Sequence, residues 1–349
     1  RVLFRSGDAM KKGIIVLMIL VLVACSNEAA SNGPVAEEGE TLAENLETPW
    51  MIEKTEEGFY ISERGGTLKL VDEDETIIQS LELDREIHAS GEGGLLGFIL
   101  HPNDTETAFL YHTYSDGGEK NRIVEMKRKG SAWSESDVIV EDIPGGTIHN
   151  GGRMDIGPDG HLYITTGDAG IGDYSQDRNS LAGKILRVAL DGAIPEDNPF
   201  DTEVYSYGHR NPQGLAWDDE GVLYATEHGA SGRDEINVIE PGANYGWPVI
   251  EGDEEEEGME SPLHHTGSAT WAPSGIAYDD DTLYIAALRG SEVIAFDLSS
   301  NAPSTLYDEG SRMRDVLVEE DRLYTITNNT DGRGDPSEDD DRLLELEME

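Results

Sequence analysis

The feature that most constrains the fold of this chain is a tyrosine that recurs in short β-rich segments. The segments are Phe59–Ile61, Leu110–Tyr111, Leu162–Ile164, Leu223–Tyr224, Leu283–Ile285 and Leu323–Tyr324. Successive tyrosines are 51, 52, 61, 60 and 40 residues apart. A period of about 40–60 residues is typical of a β-propeller, in which each blade must stack on its neighbours. The repeat predicts an all-β fold, a six-bladed β-propeller; a β-sandwich is the alternative.

Two of these units are longer than the others, and their additional residues fall in 168–205 and 228–270. Both stretches are rich in Gly, Asp, Asn and Pro, which favour turns. Long loops on neighbouring blades favour a functional site built over one face of the ring.

The motif His149–Arg153 (HNGGR) contains the first candidate for chemistry. Its two glycines remove side chains at a point where another group could approach the backbone. A strand is predicted over Leu162–Thr166, so His149 is expected on a loop that leads into a sheet. Catalytic histidines are common in such loops, although a surface or capping role is the alternative.

The net charge excludes one class of partner. The chain has 72 Asp and Glu residues against 25 Lys and Arg residues, a formal net charge of −47. Such a surface repels phosphate backbones and anionic lipid, which excludes nucleic-acid binding. The favoured explanation is an acidic, halophilic-type surface that stays solvated in a salty or alkaline medium. Binding of a cationic partner is the alternative.

The N-terminal segment resembles a bacterial lipoprotein signal peptide. Positive charge at Lys11 and Lys12 precedes an apolar run that ends in the lipobox-like sequence Leu22–Ser26. Cleavage there would leave Cys25, the only cysteine, as a lipidated first residue. An extracytoplasmic protein that contacts the membrane only through this lipid anchor is expected; an uncleaved single-span anchor is the alternative. The predicted parts are an N-terminal extension and signal peptide (1–24), a flexible acidic tether (25–48) and the propeller domain (49–349).

Three further motifs, together with HNGGR, carry a resemblance to a known family. They are Ser90–Phe98 (SGEGGLLGF), Tyr207–Leu215 (YGHRNPQGL) and the segment Glu227–Pro248, which contains EHG, DEIN and NYGWP. In their order and spacing they resemble the glucose/sorbosone dehydrogenase family over roughly residues 46–349. This family includes aldose dehydrogenases that depend on pyrroloquinoline quinone (PQQ). The resemblance implies a six-bladed propeller, in agreement with the repeat.

The resemblance also implies a cofactor site. PQQ carries three carboxylates, and arginine is the side chain best suited to hold them. The positions that the resemblance assigns to cofactor or substrate contacts are Glu92, Arg210, Asn211, Gln213, Trp271, Arg289, Arg312 and Arg314. His149 matches the general base that takes a proton from the sugar hydroxyl.

Calcium is the second cofactor that the resemblance implies. The backbone carbonyls of Gly229 and Ala230 would hold a Ca²⁺ ion beside the quinone, since Ca²⁺ prefers oxygen ligands. Glu235 and Tyr245 resemble a second calcium position.

The function predicted from these observations is a PQQ- and Ca²⁺-dependent dehydrogenase. It would oxidise an aldose sugar to its lactone and pass the electrons to an external acceptor. A non-catalytic propeller that binds sugar or protein, and a calcium-dependent hydrolase, are the alternatives.

Overall fold

The structure is a computed structural model that describes residues 39–73 and 75–348. Within these ranges the chain is almost entirely β-structure, and the helix present is one turn, α1 (Asp173–Gln176). The predicted all-β class is confirmed. The predicted signal peptide, Cys25 and residues 25–38 of the predicted tether lie outside the described residues. No helix in the described ranges is long and apolar enough to cross a bilayer.

The strands follow one another along the chain. Their bounds are β1 (Glu40–Ala43), β2 (Pro49–Thr55), β3 (Gly58–Glu63), β4 (Thr67–Val71), β5 (Thr76–Glu82), β6 (Leu95–His101), β7 (Asp104–Ser115), β8 (Glu119–Lys129), β9 (Ala132–Pro144), β10 (Met154–Ile156), β11 (Leu162–Thr166), β12 (Lys184–Val188), β13 (Val204–Tyr207), β14 (Pro212–Trp217), β15 (Leu223–Glu227), β16 (Glu235–Ile239), β17 (His264–His265), β18 (Pro273–Asp279), β19 (Thr282–Ala287), β20 (Glu292–Asp297), β21 (Ala302–Tyr307), β22 (Met313–Glu319), β23 (Arg322–Thr327) and β24 (Leu343–Glu347).

Consecutive strands pair as antiparallel meanders. The four-stranded sheets of the described chain have the orders β10-β11-β12-β13, β14-β15-β16-β17, β18-β19-β20-β21 and β1-β24-β23-β22. An eight-stranded sheet, β2-β3-β4-β5-β9-β8-β7-β6, consists of two meanders joined by parallel pairing of β5 with β9. The first described strand, β1, pairs with the last strand, β24, and so completes the last sheet. This arrangement excludes a sandwich of two sheets.

The recurring tyrosines occupy the same place in every meander. Each lies in the second strand, from Tyr60 in β3 to Tyr324 in β23. Several of them pack between neighbouring sheets. The ring centroid of Tyr163 lies 5.1 Å from that of Trp217 in the next sheet, and that of Tyr324 lies 4.8 Å from that of Phe59. The repeated tyrosine therefore marks the second strand of each meander, and in Tyr163 and Tyr324 the ring also contacts an aromatic ring of a neighbouring sheet.

Strand β1 lies within residues 25–48, where the sequence predicts a flexible tether, and for this strand the prediction is wrong. Its residues pair with β24, and Ala43 and Leu46 are buried in a cluster with Ile326 and Leu343. An isolated acidic segment of this length has no stable structure. The open edge of β24 supplies the backbone partners that order it.

The first strands of the meanders (β2, β6, β10, β14, β18 and β22) surround a cavity of about 420 Å³. Ionisable side chains lie in its wall. Nη1 of Arg153 is 2.8 Å from Oδ2 of Asp315, and Glu53 and Asp155 lie in the same wall. Burial raises the pKa of Glu53 to about 8 and the pKa of Asp155 to about 6.

Glu53 is expected to make the stability of the protein depend on pH. Its pKa rises from 4.5 to about 8 on folding, so between these values the folded state binds more protons than the unfolded state. The stabilisation is complete below the unfolded pKa and is lost as the pH rises through the folded pKa. Glu53→Gln, which stays neutral, should therefore flatten the fall in melting temperature between about pH 5 and 9. Parallel pH curves for the native protein and the variant would contradict this assignment.

Candidate active site

The candidate active site lies at one end of the sheets. In each meander the start of the first strand pairs with the end of the second, as in Pro212↔Glu227 and Met313↔Thr327. Loops before the first strands and after the second strands therefore share this end. The predicted catalytic and cofactor residues lie in these loops or at the strand ends beside them: Glu92, His149, Arg210, Asn211, Gln213, Trp271, Arg289, Arg312 and Arg314.

His149 is held by its ring and by its backbone. Nδ1 lies 2.7 Å from Oδ1 of Asp168, and the N–H donates to Oε2 of Glu92 at 2.9 Å. The carbonyl accepts the N–H of Ala169 at 3.1 Å. The φ of His149 is +57°, a left-handed conformation that costs a residue with a side chain roughly 1–2 kcal/mol. The side chain is 13% exposed, so the ring is fixed but remains accessible.

Asp168 receives three donors on two oxygens. Besides the contact with His149, Oδ1 accepts the N–H of Gly170 at 2.7 Å, and Oδ2 accepts Nε1–H of Trp247 at 2.8 Å. Burial alone would raise the pKa of Asp168, but His149 and these two donors hold it below its usual value. An ionised carboxylate can only accept, so the proton of the pair lies on Nδ1 of His149. In the neutral form of the ring, Nε2 of His149 therefore carries the free lone pair.

The two long loops predicted from the sequence meet beside His149. Trp247, in the segment 228–270, contacts Asp168, in the segment 168–205. Nε2 of Gln176 also donates to the carbonyl of Trp247 at 2.8 Å. These contacts agree with the prediction that the two insertions build over the same face.

Both carboxylate oxygens of Glu92 are occupied by protein groups. Oε2 accepts the N–H of His149, and Oε1 is 2.6 Å from Nη2 of Arg333. Burial acts to raise the pKa of Glu92, but these two partners lower it to about 2. The sequence assigns Glu92 to the cofactor. The structure directs its carboxylate to His149 and Arg333.

Arg210 and Asn211 are fixed by the carboxylate of Glu227. This group accepts both backbone N–H groups, that of Asn211 at 3.3 Å. Oδ1 of Asn211 accepts the N–H of Gly151 at 3.1 Å. The carbonyl of Arg210 accepts the N–H of Asp168 at 2.8 Å. The turn at Arg210 is thereby attached to the loop of the candidate base.

Arg210 and Arg314 retain unused hydrogen-bond donors. Arg210 donates from Nη1 to the carbonyl of His228 at 3.1 Å, and Arg314 donates from Nη1 to Oε1 of Gln213 at 3.0 Å. Nε of each is buried and has no hydrogen-bond partner among the described residues. Burial, followed by the charge of Arg64, lowers the pKa of Arg314 to about 9. An anion at this point would satisfy donors that otherwise cost about 1–3 kcal/mol each.

The other two predicted arginines differ from this pair. Arg312 donates to the carbonyls of Asn328 and Leu288 at 3.2 and 3.1 Å. It also donates to the carboxylate of Asp331 at 2.8 Å. Arg289 is exposed, and within the described part of the chain its guanidinium has no hydrogen bond or ion pair. Of the four arginines, Arg210 and Arg314 each have a buried Nε without a partner in the described structure. Arg312 already has three partners, and Arg289 lies at the surface.

Trp271 serves the packing of the sheets. Its ring stacks on His264 with a centroid distance of 5.5 Å and an interplanar angle of 9°, next to the hydrophobic core formed around β18 and β19. The backbone N–H of Trp271 donates to Oδ2 of Asp234 at 2.7 Å. These contacts explain its position without a ligand.

The predicted calcium loop is built around Asp234. Its Oδ1 accepts the N–H of Gly229 at 2.9 Å. A Cβ on Gly229 would lie 2.0 Å from the carbonyl oxygen of Gly232, so a residue without a side chain is required. Ala230 is exposed. In the ranges that the structure describes, no three His, Cys, Asp or Glu side chains are grouped to hold a metal ion. Calcium in this loop would therefore depend on backbone carbonyls.

The residues of the predicted second calcium position are engaged by the protein itself. Glu235 accepts the N–H of Gly252 at 2.8 Å, and burial together with the charge of Glu227 raises the pKa of Glu235 to about 7. The hydroxyl of Tyr245 donates to the carbonyl of Val238 at 2.6 Å, and the ring is buried. The hydroxyl of Tyr245 thus belongs to the core.

The sequence analysis did not assign four residues that the structure brings to the site: Asp168, Trp247, Arg333 and His228. Asp168 had a usable signal, because it lies two residues after the second strand of its meander, at the end of the sheet that also carries the other site residues. Arg333 had none, since it lies 241 residues from its partner Glu92. His228, the fourth of these residues, accepts a hydrogen bond from Arg210 at its carbonyl. Its Nε2 is buried without a partner in the described structure, and burial lowers its pKa.

The chemistry available at this end of the sheets is limited to a few operations. A histidine whose Nδ1–H is fixed by a carboxylate can accept a proton at Nε2. Buried guanidinium donors without partners favour an anionic ligand. The site is therefore suited to removing a proton beside a bound anion.

The sequence and the structure of this chain are both similar to those of known proteins. The sequence model of the glucose/sorbosone dehydrogenase family matches residues 46–336. The chain is 30% identical to the aldose sugar dehydrogenase YliI of Escherichia coli, over 90% of this chain and 96% of that protein. The PQQ-bound form of the aldose sugar dehydrogenase from Streptomyces coelicolor is 39% identical, with a TM-score of 0.82 over 91% of this chain and 100% of the other. A Thermus structure described as a putative oxidoreductase (glucose dehydrogenase) is 36% identical, with a TM-score of 0.83 over 88% and 99%.

Proposed function

The chain belongs to the glucose/sorbosone dehydrogenase family, and we propose that it is a PQQ-dependent aldose sugar dehydrogenase. It would oxidise the hemiacetal carbon of an aldose to the lactone, with loss of one hydride and one proton. The observation that carries the proposal is the His149–Asp168 pair, which is bonded to the backbone of Arg210, together with the buried, unpaired Nε donors of Arg210 and Arg314. The names of the similar proteins support the same activity.

We further propose that the meanders are the blades of a six-bladed propeller. The support is that one cavity is lined by the first strand of each meander, β2, β6, β10, β14, β18 and β22. Pairing of β1 with β24 would close the ring.

The residues present fit PQQ. Its carboxylates would accept from the free Nε donors of Arg210 and Arg314, which have no partner among the described residues. Nε2 of His228 is a further unpaired polar atom that such a ligand would meet. When bound, PQQ would supply a two-electron acceptor for the hydride.

The chain's own part in the reaction is the movement of a proton. Nε2 of His149 would take the proton of the C1 hydroxyl, because Nδ1 is already protonated and donates to Asp168. As positive charge develops on the ring, the adjacent carboxylate of Asp168 stabilises it. The left-handed backbone at His149 sets the direction of the ring.

Calcium and the electron acceptor complete the proposal. The carbonyls of Gly229 and Ala230 would hold one Ca²⁺ ion, in a loop that Asp234 keeps tight. Calcium there would polarise a bound quinone oxygen. Electrons would leave to an external acceptor.

The test is to add PQQ and Ca²⁺ to the purified protein, with a panel of aldoses and an artificial dye. We expect a change in the PQQ absorbance on binding, and dye reduction that requires both additions. Binding of PQQ without dye reduction for any aldose would favour a non-catalytic binding propeller. If the protein neither bound PQQ nor reduced the dye, the proposed dehydrogenase activity would be refuted.

Arg314→Met should weaken PQQ binding by about 10–100-fold, because one charge-assisted contact is worth about 1.5–3 kcal/mol. The methionine preserves most of the buried volume, so the fold should persist. Fluorescence titration with PQQ measures the dissociation constant. Arg322→Met, which removes an arginine that pairs with Glu345 on the sheet β1-β24-β23-β22, is the matched control and should leave binding unchanged. Equal affinities for the native protein and Arg314→Met would remove Arg314 from the cofactor site.

We also propose that Cys25 attaches the protein to the outer surface of a cell membrane. The support is the lipobox-like sequence Leu22–Ser26. Cys25→Ser should move the protein from the membrane fraction to the soluble fraction, with unchanged sugar oxidation. Retention in the membrane after a high-salt wash would contradict lipidation.

A further inference from the structure

Glu92 joins three parts of the chain that are far apart in sequence. Its N–H donates to the carbonyl of Thr147 at 2.9 Å, and its Oε2 accepts the N–H of His149 at 2.9 Å. Its Oε1 pairs with Arg333 at 2.6 Å. The segment around Glu92 therefore lies directly along the backbone of the candidate base.

The close approach of these two segments is built into the backbone. Gly91 has a φ of +58°, and a Cβ at this position would lie 2.2 Å from the carbonyl oxygen of Thr147. A side chain there would push the two segments apart. The path of the chain thus places Glu92 beside the loop of His149, within reach of its side-chain carboxylate.

We propose that Glu92, held by Arg333, is a positioning residue that keeps His149 in its left-handed conformation and so directs the imidazole. The inference rests on the proposed role of His149 as the base. The resemblance in sequence suggested that Glu92 contacts the cofactor. In this proposal Glu92 instead contacts the base, His149.

The physical reason lies in the cost of the conformation at His149. A left-handed residue with a side chain needs compensating contacts, and a peptide N–H in a half-buried loop needs an acceptor. Oε2 of Glu92 supplies that acceptor. Without it, φ can relax toward the common right-handed or extended regions, and the ring then turns away from Asp168.

Arg333 holds the carboxylate of Glu92 in one orientation. Its side chain is 54% exposed, whereas that of Glu92 is 18% exposed. Pairing with Arg333 orients the carboxylate so that its other oxygen faces His149. An exposed ion pair adds little stability by itself, so we expect its effect to appear in the geometry of the loop.

The experiment compares Glu92→Ala with Glu92→Gln. Glutamine retains an oxygen that can accept the N–H of His149, whereas alanine has none. Glu92→Ala should lower kcat by about 10–100-fold, with the PQQ dissociation constant within about threefold of the native value. Glu92→Gln should recover kcat to within about fivefold, and Arg333→Met should resemble it. Glu57→Ala breaks an ion pair with Arg128 that lies outside the site, and it is the control for loss of a surface pair.

A second readout does not require turnover. In the protein without PQQ, the rate at which diethylpyrocarbonate modifies His149, followed by peptide mapping, should change in Glu92→Ala and stay near the native rate in Glu92→Gln. This result would support the positioning role even if the native protein oxidised no sugar. The role is overturned if Glu92→Gln is as impaired as Glu92→Ala. It is also overturned if Glu92→Ala weakens PQQ binding and leaves kcat unchanged, which would restore Glu92 as a cofactor contact.

Discussion

His149→Gln should lower kcat by about 10²–10⁴-fold, the usual contribution of a positioned general base. Glutamine cannot take a proton near neutral pH, but its size and polarity suit the half-buried loop. The fold and the affinity for PQQ should both persist, because the anion-binding donors proposed for PQQ belong to Arg210 and Arg314 and not to His149. Dye reduction at saturating PQQ, Ca²⁺ and sugar gives kcat, and fluorescence titration gives the affinity.

The matched control for this prediction is His161→Gln. His161 also lies beside a carboxylate, with Nδ1 3.3 Å from Oδ2 of Asp159, but it sits at the opposite end of strand β11 from Asp168. Its replacement should leave kcat unchanged. If His149→Gln retained near-native dye reduction under saturating conditions, the proton acceptor would have to be another group.

Asp168→Asn should lower kcat by about 10²–10⁴-fold through the wrong tautomer of His149. The two oxygens of Asp168 accept from His149, Gly170 and Trp247. An asparagine has one acceptor oxygen and one NH₂ group, so it cannot satisfy all three donors. If the NH₂ group faces the imidazole, the proton moves to Nε2, and the lone pair needed for the reaction is lost.

The measurement for Asp168→Asn is the pH dependence of kcat together with the affinity for PQQ. We expect kcat to stay low across the accessible pH range and the affinity to change by less than about threefold. Asp159→Asn alters a comparable Asp–His contact at the other end of the strand and serves as the control. A native kcat in Asp168→Asn would show that the carboxylate does not select the tautomer.

Part of the candidate site could be predicted because it is encoded in local patterns. His149, Arg210 and Asn211 lie in short motifs next to strand ends, and antiparallel pairing brings such ends together. The long loops were also predictable in position, and Trp247 and Asp168 join them over the site. What the motifs could not predict was the direction of each side chain.

The arginines illustrate that limit. Arg289 and Arg314 are equivalent candidates in the sequence, since both are rare cations near strand ends. In the structure Arg314 is buried with an unpaired Nε, and Arg289 is exposed. Burial depends on which sheets pack around a residue, and that is a property of the complete tertiary arrangement.

The sequence by itself determined the all-β class, the repeated unit and the family. These follow from patterns within about 40–60 residues, where a tyrosine recurs in the second strand of each unit. Only the tertiary structure decided that Asp168 orients His149, that Glu92 pairs with Arg333, and that β1 completes the last sheet. Each of the last two contacts joins residues that lie far apart in the sequence. Such contacts form only when packing of all the sheets brings these segments together, so no local pattern records them.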